Sequence, residues 1–252
     1  SSSNISSSQN MNKNKEEDED VEEQDGDVSE KNEKNEPTTT SWKLIMETHG
    51  SKTYLHQIRD ISPHPMKDHL FASVGDDKYL KIWNTKTGKC LKSIPLQNPG
   101  TCVEYSYNGD RLCLGLGPNP NASKGGSLKS HLELAGAFQI MTCKDDVLRH
   151  TGRDTKARIH LSKWSLDNTL LAIASEDRRI AVYNSSGDCD GDHPSEYKLM
   201  YKIMGFEHPC TSIDFSYGNE YMRCSAAPSG EIIYCKPNGI QKTKNGSIQP
   251  DL

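Results

Sequence analysis

The chain has 252 residues and a net charge of −5, with 30 Lys and Arg against 35 Asp and Glu. Residues 1–40 carry −8 and the remainder carries +3, so an acidic segment precedes a mildly basic body. No stretch approaches the ~18 apolar residues of a membrane span, and the N-terminal residues are polar where a secretory signal needs an apolar region. We therefore expect a soluble, intracellular protein.

The predicted N-terminal tail covers residues 1–41. Its aliphatic or thioether side chains before residue 41 are Ile5, Met11, Val21 and Val28, too few to offset the conformational entropy lost when a chain becomes ordered. We expect this acidic segment to be disordered. A β domain is predicted over residues 42–246, followed by a tail or the start of a further repeat at residues 247–252.

One unit recurs four times after the tail and reads strand, turn, strand, turn, strand. In the third copy, Asp167 and Asn168 predict the first turn, because their side chains bond nearby backbone and tolerate the left-handed region. Glu176 and Asp177 predict the second turn, which leads into β-branched and aromatic residues typical of strands. The four copies are residues 58–84, 101–143, 159–184 and 211–236.

A fourth strand is predicted before each copy, so that each unit becomes a four-stranded sheet. Such a sheet cannot bury both of its faces alone, and units of this kind stack radially into a β-propeller. Four copies are few for a propeller, so we expect an all-β, incomplete propeller of about four blades. The predicted fourth strands are residues 42–46, 90–94, 147–150 and 197–204, and residues 239–243 are predicted to open a fifth unit.

Two inserts lengthen the repeats, at residues 118–136 and 185–196. Both are rich in the Gly, Pro, Ser and Asn typical of surface loops, and we expect them to lie outside the sheets.

The eight cysteines sit singly, without a C-x-x-C pair, which disfavours metal sites and disulfides. Cys102, Cys113, Cys224 and Cys235 lie in apolar strand-like runs, where a free cysteine behaves as a small core hydrophobe. We predict buried, reduced thiols at these four positions.

No motif indicates an enzyme. The chain lacks a Gly-x-Ser-x-Gly nucleophile motif and a phosphate-binding loop. His49, His56, His64 and His69 lack companion ligands at fixed offsets, which favours surface or hydrogen-bonded histidines over a metal site. We expect no catalytic residue, no cofactor and no bound metal.

The copies resemble WD repeats. The strand ends at Trp83 and Tyr183 resemble the Trp-Asp close of that family, and Asp77 and Asp177 lie in the turn where the family has its structural Asp. The resemblance implies that these two aspartates stabilise their turns. The second and fourth copies lack this Asp.

Among WD-repeat proteins, the order of the copies is most similar to the C-terminal propeller of the echinoderm microtubule-associated protein-like (EMAP-like) family. The similarity covers roughly residues 42–246. The passages that carry it are FASVGDDKYLKIWN, CVEYSYNGDRLCLGL, LSKWSLDNTLLAIASEDRRIAVYN and SIDFSYGNEYMRCSAAPSGEIIYCKPNG.

Lysines cluster on one predicted blade, and further Lys and Arg side chains lie on the next two. Such runs are either solvated edges that discourage strand addition or a basic face that attracts an acidic partner. Because tubulin surfaces are acidic, the second interpretation agrees with the resemblance. The candidate contacts for an acidic partner are Lys78, Lys81, Lys86, Lys89, Arg178 and Arg179.

The resemblance implies a non-catalytic scaffold that binds tubulin, microtubules or microtubule-associated proteins in the cytoplasm, at the cytoskeleton or in a cilium. Neither a nucleic-acid nor a membrane partner is expected. The alternative is a WD-repeat adaptor in another assembly, such as a ubiquitin-ligase substrate receptor or an intraciliary transport complex.

Overall fold

The computed structural model describes His49 and residues 57–118, 134–155, 157–186, 197–204 and 206–236. The chain divides between Lys43 and Leu44 into two units, and all of the described residues belong to the second unit. The predicted tail at residues 1–41, the strands predicted at residues 42–46 and 239–243, and the segment 247–252 lie outside the described residues. The same is true of most of each insert. The predicted domain boundaries therefore stay predictions.

Four antiparallel sheets make up the described part of the chain, which confirms the predicted all-β fold of blade-like units. The three strands predicted within each copy are present. No helix among the described residues is long and apolar enough to cross a bilayer. The first sheet contains β1 (Ile58–Pro63), β2 (Leu70–Gly75), β3 (Tyr79–Asn84) and β4 (Lys89–Pro95); the second, β5 (Gly100–Tyr105), β6 (Arg111–Leu116), β7 (Phe138–Thr142) and β8 (Leu148–Gly152); the third, β9 (Ile159–Trp164), β10 (Leu170–Ser175), β11 (Arg179–Asn184) and β12 (Lys198–Ile203); the fourth, β13 (Cys210–Phe215), β14 (Met222–Ala226) and β15 (Glu231–Cys235).

The predicted grouping of the fourth strands was wrong. β4 pairs with β3 of the copy that precedes it, and β8 and β12 pair with β7 and β11 in the same way. For β4 the cause is the short turn between Asn84 and Lys89, because a connection of this length folds its flanking strands into a hairpin. The fourth strand therefore follows its copy and forms the edge of that copy's own sheet.

The first strands of successive sheets lie beside one another and run in the same direction. The Asp60 carboxylate accepts a hydrogen bond from the backbone N–H of Val103 at 2.9 Å, and Ser62 Oγ accepts one from the N–H of Tyr105 at 3.1 Å. Acceptors and donors both advance by two residues, so β1 and β5 are parallel. One sheet further on, Glu104 accepts in the same way from the N–H of Trp164 at 3.0 Å.

This common direction places equivalent turns at one end of the sheets. We call the end that carries the β1–β2, β5–β6, β9–β10 and β13–β14 turns the lower end. The β2–β3 and β10–β11 turns lie at the opposite, upper end. Because neighbouring strands in each sheet are antiparallel, the β3–β4 turn returns to the lower end.

Apolar side chains fill the spaces between successive sheets. Leu80 and Leu114 are fully buried between the first and second sheets, Phe138 and Trp164 between the second and third, and Met222 against the third from the fourth. Each large apolar side chain that is removed from water contributes roughly 1.5–3 kcal/mol. The contacts between the sheets therefore stabilise the stacked arrangement.

The cysteines of the described residues are unbridged. Cys102, Cys113, Cys224 and Cys235 are buried, as the apolar runs predicted. Burial raises the pKa of Cys102 to about 12, so that its thiol stays protonated.

Candidate interaction surfaces

A buried polar cluster lies at the first sheet. His49 Nδ1 lies 2.9 Å from Asp77 Oδ2, and His49 Nε2 lies 2.5 Å from Ser73 Oγ. The indole N–H of Trp83 donates to the same Ser73 oxygen at 2.7 Å. With the proton on His49 Nδ1, the ring donates to Asp77 and accepts from the Ser73 hydroxyl, so every polar group has a partner.

Burial makes this cluster costly to break. The side chains of His49 and Asp77 are 1% and 4% exposed. Burial disfavours the charged form of Asp77, but the hydrogen bonds from His49 and from the backbone N–H of Tyr79 hold the pKa of Asp77 below its ordinary value. The carboxylate therefore remains charged and fixes both the turn and the His49 ring.

The pairing of His49 with Asp77 was not predicted from the sequence. A signal was present, because a strand pair that offers Ser73, Asp77 and Trp83 needs a further polar partner if all three are buried. The separation of 28 positions between His49 and Asp77 in the sequence hid that relationship.

The cluster is not repeated at the third sheet. The side chain of Asp177 is 22% exposed, accepts a hydrogen bond from the Ser175 hydroxyl and lies 3.8 Å from Arg179 Nε. Ile173 occupies the position equivalent to Ser73, and Tyr183 the position equivalent to Trp83. The two aspartates predicted as structural turn residues therefore have different surroundings.

Five of the six cations predicted to contact an acidic partner are divided between the two ends, and Lys81 lies within β3. Lys78 and Arg178 occupy equivalent positions in the upper turns, with φ near 63° and 64°, and Arg179 follows at the start of β11. Lys86 and Lys89 lie at the lower end, in and after the β3–β4 turn. A six-residue strand spans about 20 Å. A single flat partner therefore meets one set of cations at a time.

Several of these cations already have local partners. Lys86 lies 3.6 Å from Asp68, Arg178 donates to the Glu207 carbonyl at 3.5 Å, and Lys81 Nζ lies 5.6 Å from the centroid of the Trp83 ring. At the upper end, Arg59 pairs with Asp76 at 2.7 Å and Arg158 with Glu176 at 2.6 Å. Both ends thus carry mixed charge, and the attraction available to an acidic partner rests on a few side chains.

The described histidines that were considered for a metal site have other contacts, and His56 lies outside the described residues. The His64 ring packs on Tyr105 with centroids 4.7 Å apart, and its Nδ1 accepts a hydrogen bond from the Met66 N–H at 3.1 Å. His69 contacts Asp68 at 3.0 Å. In the described part of the chain, no group of three or more His, Cys, Asp or Glu side chains is arranged to hold a metal ion.

The face of the fourth sheet that points away from the third sheet is more polar than the corresponding face of the first sheet. Facing the second sheet, the first sheet presents Ala72, Val74 and Leu80, which are fully buried. At the positions equivalent to Ala72 and Val74, the fourth sheet presents Arg223 and Ser225. A recess of about 420 Å³ lies on this face beside Asp214, to which Arg223 is bonded at 2.5 Å. Arg223 and Asp214 therefore form an ion pair at the edge of this recess.

Comparison with known proteins shows that part of this chain is similar to WD-repeat proteins. A family model, "WD domain, G-beta repeat", matches residues 42–84. Echinoderm microtubule-associated protein-like 4 of Xenopus laevis is 22% identical over 192 residues, which is 76% of this chain and 18% of that protein. Its human counterpart is 21% identical over 192 residues, with 76% and 17% covered. The resemblance to WD-repeat and EMAP-like proteins is thereby confirmed.

Other WD-repeat proteins are also similar. Eukaryotic translation initiation factor 3 subunit I of Aspergillus terreus is 25% identical over 185 residues, covering 73% of this chain and 51% of that protein. The chain thus spans less than a fifth of the two EMAP-like relatives and about half of this one.

Proposed function

We propose that this chain is part of a non-catalytic WD-repeat scaffold that binds microtubules or a microtubule-associated protein. The supporting observation is the similarity to EMAP-like proteins over 76% of the chain, which is far more than a single repeat. Those relatives carry microtubule association in their names. A cytoplasmic place at the cytoskeleton or in a cilium belongs to the same proposal.

The contact is proposed at the upper end of the sheets. Lys78 and Arg178 hold equivalent positions in the turns of two different sheets, and both adopt a left-handed backbone conformation. Two cations repeated in this way suit an acidic lattice, whose charges also repeat. The +3 charge of the body adds a weak long-range attraction.

Neutralising one end at a time tests this placement. Lys78→Asn with Arg178→Asn removes two upper charges, and asparagine tolerates the left-handed conformation of both residues. Lys86→Gln with Lys89→Gln removes the same amount of charge from the lower end and is the matched control. In cosedimentation of the full chain with polymerised tubulin, the upper pair should reduce pelleting and the lower pair should leave it near the wild-type level.

Two results would count against this proposal. Equal losses from both pairs would mean that net charge, rather than the upper turns, governs binding. Absence of pelleting at any salt concentration, by a chain whose circular dichroism shows folded β structure, would remove the microtubule function itself.

The second candidate is an adaptor or subunit in another assembly. The similarity to a translation initiation factor subunit over 73% of this chain favours it, because that relative is named as a subunit of a larger factor. A folded chain that does not pellet with microtubules but co-purifies stoichiometrically with a defined complex would support this candidate.

A further inference from the structure

Each of the four lower turns exposes a large apolar side chain near its start. Met66, Tyr107, Leu166 and Tyr217 each lie one or two residues after the residue that opens the turn, and they are 72%, 38%, 46% and 90% exposed. Single exposed apolar side chains are ordinary on protein surfaces. Tyr107, Leu166 and Tyr217 occupy equivalent positions and Met66 lies one residue later in a longer turn, so the four form a pattern. We call these four residues the turn arc.

Repeated turn chemistry fixes the direction of these side chains. In the second, third and fourth sheets a serine opens the turn, and its N–H donates to the carbonyl of the residue that follows the turn, at 2.8–2.9 Å. The serine hydroxyl accepts the N–H of that same residue at 2.9–3.0 Å. The serine side chain therefore points into the turn, and the apolar residue after it lies on the outer side of the turn, where the centroid of the Tyr107 ring lies 5.6 Å from Lys163 Nζ. These serines are Ser106, Ser165 and Ser216.

The turns also contact one another, so the arc is continuous. The Tyr107 N–H donates to Asn168 Oδ1 at 2.7 Å, and Asn219 Nδ2 donates to Thr169 Oγ1 at 3.3 Å. Between the first two turns, Gly109 lies against the ring of His64. A surface held in this way loses little conformational entropy when a partner binds.

Acidic side chains accompany the apolar ones. Each of the four turns carries one exposed carboxylate. The first turn also carries Lys67, and its carboxylate lies 3.6 Å from Lys86 Nζ. Burial disfavours charge at Asp167, but hydrogen bonds from Ser165, Asn219 and Thr169 lower its pKa to about 2. The four carboxylates are Asp68, Asp110, Asp167 and Glu220.

We infer that the turn arc binds an extended protein segment in which apolar side chains alternate with Lys or Arg side chains. The apolar side chains would cover the turn arc, and the cations would lie beside the four carboxylates. Sheets pack ~10 Å apart, so the arc spans on the order of 30 Å, and an extended chain at ~3.3 Å per residue covers that length with about nine residues. This site goes beyond the microtubule contact, because it lies at the opposite end from Lys78 and Arg178 and selects a basic rather than an acidic partner.

A peptide of this chemistry tests the inference on the full chain. The probe is a fluorescein-labelled peptide of about twelve residues in which leucine and arginine alternate, long enough to cross the arc. Its counterpart alternates leucine and glutamate. Fluorescence anisotropy should show binding of the arginine peptide, weakening with salt as screening increases, and markedly weaker binding of the glutamate peptide.

Matched variants locate the site. Met66→Ser with Tyr217→Ser removes the two most exposed members of the arc without opening the core. Leu91→Ser with Met204→Ser, whose side chains are 52% and 54% exposed elsewhere on the surface, is the control for general loss of apolar area. The arc pair should weaken binding about tenfold, which corresponds to ~1.4 kcal/mol, and the control pair should leave it within about twofold. Asp110→Asn with Glu220→Gln should reduce the salt dependence.

Three outcomes would overturn the inference. They are no saturable binding of the arginine peptide, equal binding of the glutamate peptide, and equal weakening by the arc and control pairs. Because tubulin takes no part in the assay, these outcomes are independent of the microtubule test.

Discussion

The carboxylate of Glu104 lies 3.0 Å from the ammonium of Lys163 and joins the second sheet to the third. Its other oxygen accepts the N–H of Trp164 at 3.0 Å. Burial raises the pKa of Glu104 to about 7, although the Lys163 charge and both hydrogen bonds act in the opposite direction. Burial lowers the pKa of Lys163, but Glu104 outweighs it, and the pKa of this lysine is raised.

The first prediction concerns the pH dependence of the free energy of unfolding that the Glu104 carboxyl group produces. Its folded-state pKa lies above its ordinary value, so its contribution to stability is fully present below pH ~4.5 and is lost as pH rises through about 7. The wild-type free energy of unfolding should therefore fall relative to that of Glu104→Gln between these limits, by up to ~3 kcal/mol. Urea unfolding across this pH range measures the difference. If the wild type instead became more stable relative to Glu104→Gln as the pH rose, the prediction would be wrong.

The second prediction compares the two turn aspartates. Asp77→Ala leaves buried His49 without its partner and should lower the free energy of unfolding by ~1–3 kcal/mol. Asp177→Ala breaks a more exposed contact with Ser175 and should cost less than ~1 kcal/mol. Thermal melts of both variants give the comparison. Equal costs would mean that the His49 cluster adds no stability.

The stability that the cluster of His49 and Asp77 contributes should decrease in acid. The pKa of Asp77 is below its ordinary value, so the stability that it contributes is present above pH ~4 and is lost as pH falls further. The stability difference between wild type and Asp77→Ala should shrink correspondingly in acid.

The third prediction separates the cost of backbone strain from the cost of a steric clash, at two glycines with positive φ. Gly109 has φ +76° and Gly230 has φ +68°. An added Cβ at Gly109 would meet the His64 ring at 2.5 Å, whereas one at Gly230 would have no atom within 4 Å. Gly230→Ala should cost ~1 kcal/mol of backbone strain, and Gly109→Ala should cost clearly more. Similar melting temperatures for the two variants would show that the His64 contact yields freely.

Local patterns in the sequence predicted the strands well, and relationships between distant residues less well. The apolar run at residues 170–174 and the turn signal at Asp167 and Asn168 are local, and β10 lies where they indicate. The sheet to which β4 belongs depends on which neighbour a short turn allows it to reach. Strand composition does not encode that choice.

The surface features were harder to predict from the sequence than the strands were, because they depend on three-dimensional arrangement. Lys78 and Lys89 are close in sequence but lie at opposite ends, because β3 runs between them. Tyr107 and Tyr217 were visible as residues of two copies, yet their common exposure follows from the serine-closed turns before them. Hydrogen bonds through Ser106 and Ser216 decide that exposure, and periodicity alone cannot report it.

The last prediction concerns the acidic segment and microtubule binding. Residues 1–40 carry −8 and the remaining residues +3, so the two parts respond in opposite ways to an acidic lattice. If the contact is largely electrostatic, deleting residues 1–40 should strengthen binding because it removes repulsion. Salt above ~0.15 M, where the Debye length is ~8 Å, should weaken binding by both forms and reduce the difference between them.

Cosedimentation of the full and shortened chains with polymerised tubulin across a salt series measures both effects. The control replaces the acidic residues of the segment with Asn and Gln at constant length, which separates its charge from its bulk. That neutral segment should bind like the shortened chain. If it binds like the full chain instead, the segment obstructs the surface by its volume, and the electrostatic account of the contact is wrong.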